Sequence, residues 1–299
     1  MVRRLGVGKV GRSAQRLKSA GVTAVLLVAA LYVVGPLYWL AVASGKGLHE
    51  LFSTSTFVPG PDLEYGANLH STFTFNGAQF GRWLVNSLVY AGVSASLAVY
   101  FAAMAGYLLA WFDFRGRRLL LALTVGALTV PASVLVIPTY ILESSVLHVI
   151  NSYVGVILPT LAYPLGTFFI YVYSRQAIPA ALLDAGRVDG VGEVRLFHLI
   201  GLRLLVPGLA TLFLLSFIGT WNSYFLPLVL LSNAHLYPST LGLATWVADL
   251  GTAGSVGSVP PYQEILMGSV VSVLPMIVLF PFLQRFVRSG LLSGAVVGD

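Results

Sequence analysis

The sequence predicts an all-α integral membrane protein with six transmembrane helices, on three observations. Hydrophobic residues make up 57% of the 299-residue chain and charged residues 9%, against about 25% charged in an average soluble domain; the mean hydropathy is +0.85. Six apolar runs each reach the ~20 residues that a helix rising 1.5 Å per residue needs to cross the hydrocarbon core. Basic residues fall between those runs on alternate sides, the pattern that orients a chain in a bilayer. Backbone polar groups in lipid have to be paired within the segment, so the runs form helices.

Residues 1–19 carry six basic residues (Arg3, Arg4, Lys9, Arg12, Arg16, Lys18) and no acidic one. A secretory signal begins in this way, but the run that follows, about 20–43, is long enough to span. No small-residue cleavage site follows it, and it reads as an uncleaved first helix. The further spans fall at about 83–110, 118–142, 153–174, 204–231 and 264–286, before a tail at 287–299. Prolines within them (Pro36, Pro131, Pro138, Pro159, Pro164, Pro227, Pro275, Pro281) mark kinks or ends. Arg115, Arg117 and Arg118 lie in the connection after the second span, and Arg175, Arg187, Arg195 and Arg203 in or beside the one after the fourth. Arg285 and Arg288 end the last span. Only Lys46 and Arg82 of the seventeen basic residues then lie opposite, and the positive-inside rule places both termini and residues 175–203 in the cytoplasm of a cell (inner or plasma) membrane. Residues 44–82, 143–152 and 232–263 face outside, the last with one short helix.

Composition also excludes. With no cysteine there is no disulfide framework, thiol catalysis or cysteine metal site, and the histidines (His49, His70, His148, His198, His235) show no pair at ligand spacing. No metal is expected. Gly8-Lys9 and Gly45-Lys46 lack the Ser or Thr and the preceding strand of a nucleotide loop. The basic clusters alternate with spans and do not form a nucleic-acid face. Glu50, Asp62, Glu64, Glu143, Asp249 and Glu264 all fall in or beside outer loops. An embedded enzyme, or a proton- or sodium-driven carrier, keeps ionisable groups inside the bundle. Neither is expected, and if the chain transports, a partner supplies the energy.

One internal stretch breaks the apolar pattern: ALLDAGRVDGVGEVRLFHLIGLR, residues 181–203. Pro179 suits the first turn of a helix, residues 180–188 read as helical, and Asp189-Gly190 is a turn pair. A second helix follows, with Glu193 in its first turn and Val194, Phe197 and Ile200 recurring on one face. The expected product is a short helix–turn–helix at the cytoplasmic surface. It is either a docking element or an interfacial loop that anchors two spans.

The pattern Asp184-Ala185-Gly186, three residues, Gly190, nine residues, Ile200, one residue, Leu202 resembles the EAA loop of binding-protein-dependent ABC importer permeases. Residues 178–190 (IPAALLDAGRVDG) and 216–228 (SFIGTWNSYFLPL) are similar to the carbohydrate-uptake branch, particularly the second subunit of maltose-type permeases. So are WLVNSL at 83–88, the Phe114–Arg117 turn and the end LQRFVRSGLLSGAVVGD. The resemblance covers the chain from the first span to the C-terminus. It implies a type I importer permease fold over 20–286, with a coupling loop at 175–203. It implies a non-catalytic subunit that moves a sugar or oligosaccharide inward, paired with a second homologous permease. Two ATPase subunits would bind the ATP and Mg, so this chain needs no cofactor, and an extracytoplasmic binding protein would deliver the substrate. Asp184, Ala185, Gly186, Arg187, Asp189, Gly190, Phe197 and Ile200 are the implied ATPase-coupling residues. Where the family has Glu, Ala and Pro, this chain has Asp184, Gly186 and Arg203. The alternatives are a permease for another solute, such as a polyamine or phosphate ester, and a secondary carrier or membrane-anchored structural protein.

For a translocation path the candidates are Thr220, Trp221 and Asn222 near the middle of the fifth expected span, with Asn86, Tyr100, Tyr163 and Thr167. An asparagine in a span lines a wet path or bonds across helices; aromatic faces and amides suit hydroxyl-rich rings. Both readings stay open at this point.

Overall fold

The structure, a computed structural model, describes residues 8–250 and 262–293, with side chains over 21–250 and 262–281. The expectations for residues 1–7, for the GTAGSVGSVPP stretch within 251–261 and for 294–299 lie outside the described residues. Thirteen α-helices run α1 (Gly8–Ser44), α2 (Leu48–Ser53), α3 (Tyr65–Trp111), α4 (Arg117–Ala127), α5 (Ala132–Leu142), α6 (Tyr153–Ile157), α7 (Pro164–Ala177), α8 (Ala180–Val188), α9 (Glu193–Leu196), α10 (Leu202–Trp221), α11 (Phe225–Leu230), α12 (Ser239–Leu250) and α13 (Tyr262–Ser293). Wide π turns follow α5 and α9, at Glu143–Leu147 and Phe197–Gly201. Five helical stretches among the described residues are long and apolar enough to cross a membrane, or six if α4 and α5 count as one broken span.

The expected spans need three corrections. The third is not one straight helix: α4 and its continuation through α5 are bent by 111°. Pro131 donates no N–H and disfavours helical geometry in the residue before it. The chain there falls into tight turns, with Leu128 bonding Val125, Thr129 bonding Gly126 and Val130 bonding Ala127. The fourth is present as one candidate span, Tyr153–Ala177, with a 3₁₀ turn at Leu158–Leu161 between α6 and α7 where Pro159 and Pro164 interrupt the ladder as expected. The fifth ends at Trp221, well short of residue 231: Asn222 N–H donates to Ile218 and Ser223 N–H to Thr220, and a separate helix starts at Phe225, ahead of Pro227. In the other direction α3 begins at Tyr65, well before the expected span, and is interrupted at Phe75–Ala78, where Asn76, Gly77 and Ala78 have left-handed backbone. The short helix expected after residue 232 is α12.

The described residues form two compact units, one of residues 8–72 with 262–270 and one of 73–250 with 271–293. In the first, the α1–α2 corner is fixed by buried polar groups. Lys46, 1% exposed, donates Nζ to Thr54 Oγ1 at 2.9 Å and to the Ser55 carbonyl at 2.7 Å. Asn68 donates to the carbonyls of Ser44 and Lys46, and Ser71 donates to Glu264. Burying an ammonium is costly unless its protons are satisfied.

In the second unit, one face of α3 serves as a fastener. Trp83, Asn86, Ser87 and Tyr90 fall at helical spacing on one stripe. Trp83 Nε1 donates to Ala234 O, Asn86 Nδ2 to His235 O and Tyr237 O, and Tyr90 OH to Leu236 O. Ser87 Oγ accepts from Ser239 N–H. The segment between α11 and α12 is thereby tied down, and Trp83, Phe80 and Phe75 pack around Trp246 of α12. At the other end of α3, Val99, Ala103 and Tyr107 share a buried cluster with Ile170 of α7, Leu183 of α8, Leu196, Phe197, and Leu205 and Leu212 of α10. That cluster joins the polar stretch at 181–203 to three long helices.

Candidate functional site

The helix–turn–helix predicted at residues 180–200 is present, and each part of it has a local cause. Pro179 caps α8 with extended backbone (ψ 129°). The helix ends where Gly190 takes φ +76°, a left-handed angle that costs other residues about 1–2 kcal/mol. Gly190 N–H bonds Arg187 O and Val191 N–H bonds Gly186 O, which closes the last carbonyls of α8.

Gly186 has its own reason. A Cβ built there would stand 2.6 Å from Leu196 Cδ2, so a side chain at 186 would require the Leu196 tip to shift. Position 186 costs helix propensity, about 1 kcal/mol relative to Ala, and returns close packing against Leu196.

On the outer side, Arg187 forms a fork. Its Nε donates to Glu193 Oε1 at 2.7 Å and its Nη1 to Asp184 Oδ1 at 3.0 Å, so one guanidinium fixes α8 against α9. The hydrogen bond that Arg187 donates to Glu193 raises the Arg187 pKa above its ordinary value, against partial desolvation, and the charges of Glu193 and Asp184 add to the rise. Exposed pairs of this kind contribute about 0–1 kcal/mol, so the fork sets geometry more than stability. The Asp184 side chain is 67% exposed. Ala185, Asp189 and Gly190 are exposed beside it.

The structure divides the implied coupling residues between two faces. Asp184, Ala185, Arg187, Asp189 and Gly190 lie outward, whereas Gly186 and Phe197 are buried and Ile200 is half-buried. Phe197 packs its ring 5.1 Å from Tyr107, against the chain's own spans. The expectation that Val194, Phe197 and Ile200 share one face is also corrected. Val194 is 75% exposed, and the buried pair is Leu196 and Phe197, so the face of α9 that meets the spans is set one to two residues further along than the helical period suggested. Two residues complete the outer surface, Val188 at 87% exposure, which sequence reasoning passed over, and Val194 at 75%, which it placed on another face. Apolar side chains at the tip of an otherwise charged loop are the signal that would have found them.

The path candidates do not come together. Asn86 is buried with its amide satisfied: Nδ2 gives both protons to the α11–α12 segment, and Oδ1 accepts from Tyr153 OH at 2.6 Å. Trp221 is buried and stacked on Phe217. Asn222 is not mid-span: it is the C-cap of α10, and its Nδ2 donates to Ile218 O. Thr220, half-buried, sits in the same last turn. Tyr163 packs beside the buried cluster, where Thr167 donates to its carbonyl. Tyr100 is exposed, with its hydroxyl 3.1 Å from His198 Nε2.

Glu143, expected in or beside an outer loop, stands at the start of that connection but is buried. It begins the π turn after α5, is 1% exposed, and has no hydrogen bond to either carboxylate oxygen. Among the described residues no cluster of His, Cys, Asp and Glu is arranged to hold a metal ion.

Residues 98–293 match the family model of the binding-protein-dependent transport system inner membrane component. Along its sequence the chain is similar to the arabinooligosaccharides transport system permease protein AraQ of Bacillus subtilis (strain 168), 32% identical over 91% of this chain and 93% of the relative. It is similar to the diacetylchitobiose uptake system permease protein NgcG of Streptomyces coelicolor, 27% identical over 96% and 92% of the two chains. It also resembles the sn-glycerol-3-phosphate transport system permease protein UgpE of Yersinia enterocolitica, 28% identical over 90% and 94%. In three dimensions it is similar to a chain of a bacterial ABC transporter involved in the import of the acidic polysaccharide alginate. The TM-score is 0.80, over 92% of this chain and 98% of that one at 21% identity, a likeness of fold.

Proposed function

The chain belongs to the family of binding-protein-dependent transport system inner membrane components, and from that premise we propose that it is the permease subunit of an ATP-driven importer for a sugar or oligosaccharide. It works beside a second permease subunit, two ATPase subunits and an extracytoplasmic binding protein, with both termini and the loop 175–203 in the cytoplasm.

The observation that carries the mechanism is the buried cluster running from Leu183, Leu196 and Phe197 into α3, α7 and α10. The inner face of the loop is continuous with the spans, while its outer face offers Val188, Val194, Asp184 and Ala185 to a partner. An ATPase subunit seated on that outer face and moved by closure on ATP shifts the loop as a rigid piece. Packed cores are bistable and do not deform smoothly, so the displacement reaches the helices and alternates the access of the path. This chain contributes the joint; ATP and Mg act on the partner.

Carbohydrate as the substrate is supported by the arabinooligosaccharides and diacetylchitobiose relatives. The sn-glycerol-3-phosphate relative favours a second reading, a phosphate ester. The two separate by uptake into vesicles that hold the complete importer and internal ATP. Sugar-dependent hydrolysis and accumulation support the first; stimulation by a phosphate ester alone favours the second; uptake without ATP overturns the importer itself. Asp184→Lys tests the docking face, because it reverses a charge without touching the core. The ATPase should be lost on purification or its response to loaded binding protein abolished, and a wild-type response would remove Asp184 from the contact.

A further inference from the structure

In the second unit, α3, α4 and α7 bound one long cleft. At the end where α7 leads into α8, a cavity of about 660 Å³ is lined by Asp113, Phe114, Arg117, Arg118, Tyr171 and Arg175. One turn deeper along the same three helices, a cavity of about 280 Å³ is lined by Ala105, Leu108, Leu120, Thr124 and Tyr163. Leu109 and Asp113, and Thr167 and Tyr171, each one turn apart, line the two in turn, and the consecutive Leu120 and Leu121 line one each. The cleft is therefore cationic at one end and apolar along its length.

The cations are not consumed internally. Arg117 pairs with Asp113 and donates Nε to Leu109 O. Arg175 donates Nη2 to Ala110 O at 3.3 Å and lies 5.3 Å from the Tyr171 ring centroid, which holds its guanidinium over the cavity without neutralising it. Arg118 makes no hydrogen bond or ion pair with the described residues. Three guanidiniums face one carboxylate. On α4 the neighbouring Leu119 and Leu123 are 63% and 59% exposed, so the mouth of the cleft opens where acyl chains run.

We propose that this cleft binds one anionic phospholipid. Arg118 and Arg175 hold the phosphate, Arg117 stays oriented by Asp113 at the cavity wall, and an acyl chain lies between α3, α4 and α7. The chemistry disfavours a sugar as the occupant: a hydroxyl-rich ring finds polar partners only at the charged mouth, and the deeper arm is hydrocarbon. The site rests on membrane insertion alone and not on the nature of the substrate. A basic side chain near an anionic lipid surface contributes about fivefold in affinity, so two free guanidiniums favour an anionic over a zwitterionic lipid by about 25-fold.

The test titrates the purified complex in neutral detergent with phosphatidylglycerol and phosphatidylcholine of the same chain length, counting retained lipid by native mass spectrometry. One phosphatidylglycerol should be held about 25-fold more tightly than phosphatidylcholine. Arg118→Gln with Arg175→Gln should bring the ratio close to one, while Arg82→Gln, whose guanidinium bonds His235 instead, should not change it. Ala105→Phe, which fills the apolar arm, should weaken both lipids. Equal affinity for the two lipids in the wild type overturns the proposal, as does an equal effect of Arg82→Gln. Displacement of phosphatidylglycerol by millimolar inorganic phosphate, undiminished in Ala105→Phe, would show a free-anion site and also overturn it.

Discussion

Leu196→Ala should separate what the loop holds from what it drives. Leu196 is fully buried in the cluster that joins the loop to α3, α7 and α10, and it fills the space that Gly186 leaves by having no Cβ. Truncating a buried leucine costs about 2–5 kcal/mol, the spread reflecting how far the site can collapse. Collapse here requires α8 to move toward α9, which the Arg187 fork and the Gly190 turn oppose. At about 3 kcal/mol the balance between a seated and an unseated loop shifts by roughly 100-fold. The outer face is untouched, so the ATPase should still co-purify. Hydrolysis measured in proteoliposomes should respond at least about 10-fold less to loaded binding protein, and substrate uptake should fall in proportion. Val188→Asp is the counterpart: it leaves the cluster intact and places a charge at the loop tip, so the ATPase should dissociate. Wild-type uptake and stimulation in Leu196→Ala would refute the rigid joint. So would the reverse pattern, with Leu196→Ala losing the ATPase and Val188→Asp keeping it.

Two further outcomes follow from particular residues. Gly190→Val places a β-branched side chain at φ +76°, a cost of more than about 1–2 kcal/mol in the turn; membrane insertion should persist while uptake is lost, and normal uptake would show that the turn tolerates another backbone. Asn86→Leu leaves the carbonyls of His235 and Tyr237 and the hydroxyl of Tyr153 without their partner, at about 1–3 kcal/mol for each buried group stranded. The thermal midpoint of the complex should fall by several degrees with the substrate concentration for half-maximal uptake unchanged; a change in that concentration at constant stability would return Asn86 to the translocation path.

The all-helical class and the helix–turn–helix were legible because they rest on local rules: hydropathic runs at bilayer length, a proline at a helix start and an Asp-Gly turn. What was not legible depends on where a helix breaks and which way it faces. Pro131 and Pro227 mark kinks or ends on sequence alone, and the structure shows ends: the chain near each leaves the helix, at Leu128–Pro131 and at Asn222–Tyr224. The Asn222 amide that seemed placed for a wet path instead closes the end of α10. Hydropathy does not distinguish a proline that bends a helix from one that ends it, because the difference lies in what tertiary neighbours offer the freed carbonyls. The same limit hid which stripe of α9 meets the spans, because a helical period in a helix as short as Glu193–Leu196 does not say which residues the neighbours cover. The burial of Glu143 was hidden likewise, since a carboxylate after an apolar run carries no local sign that the turn folds it inward.

The energetics of the loop argue for how its labour is divided. Its exposed ion pairs contribute about 0–1 kcal/mol each, whereas each buried leucine or phenylalanine contributes several-fold more. The loop is thus held to the spans by its inner face, and Asp184 and Arg187 are spared from holding it. A surface freed from that task can keep two exposed valines, Val188 and Val194, which a solitary loop would gain nothing by displaying. Gly186 belongs to the same logic. Alanine at 186 would strengthen α8 as an isolated helix and require the Leu196 tip to shift within the cluster, so the departure from alanine here favours the packing of the joint over the propensity of the helix. A coupling element needs that choice, because a helix that is stable but loosely seated would absorb a partner's movement before it reached α3, α7 and α10.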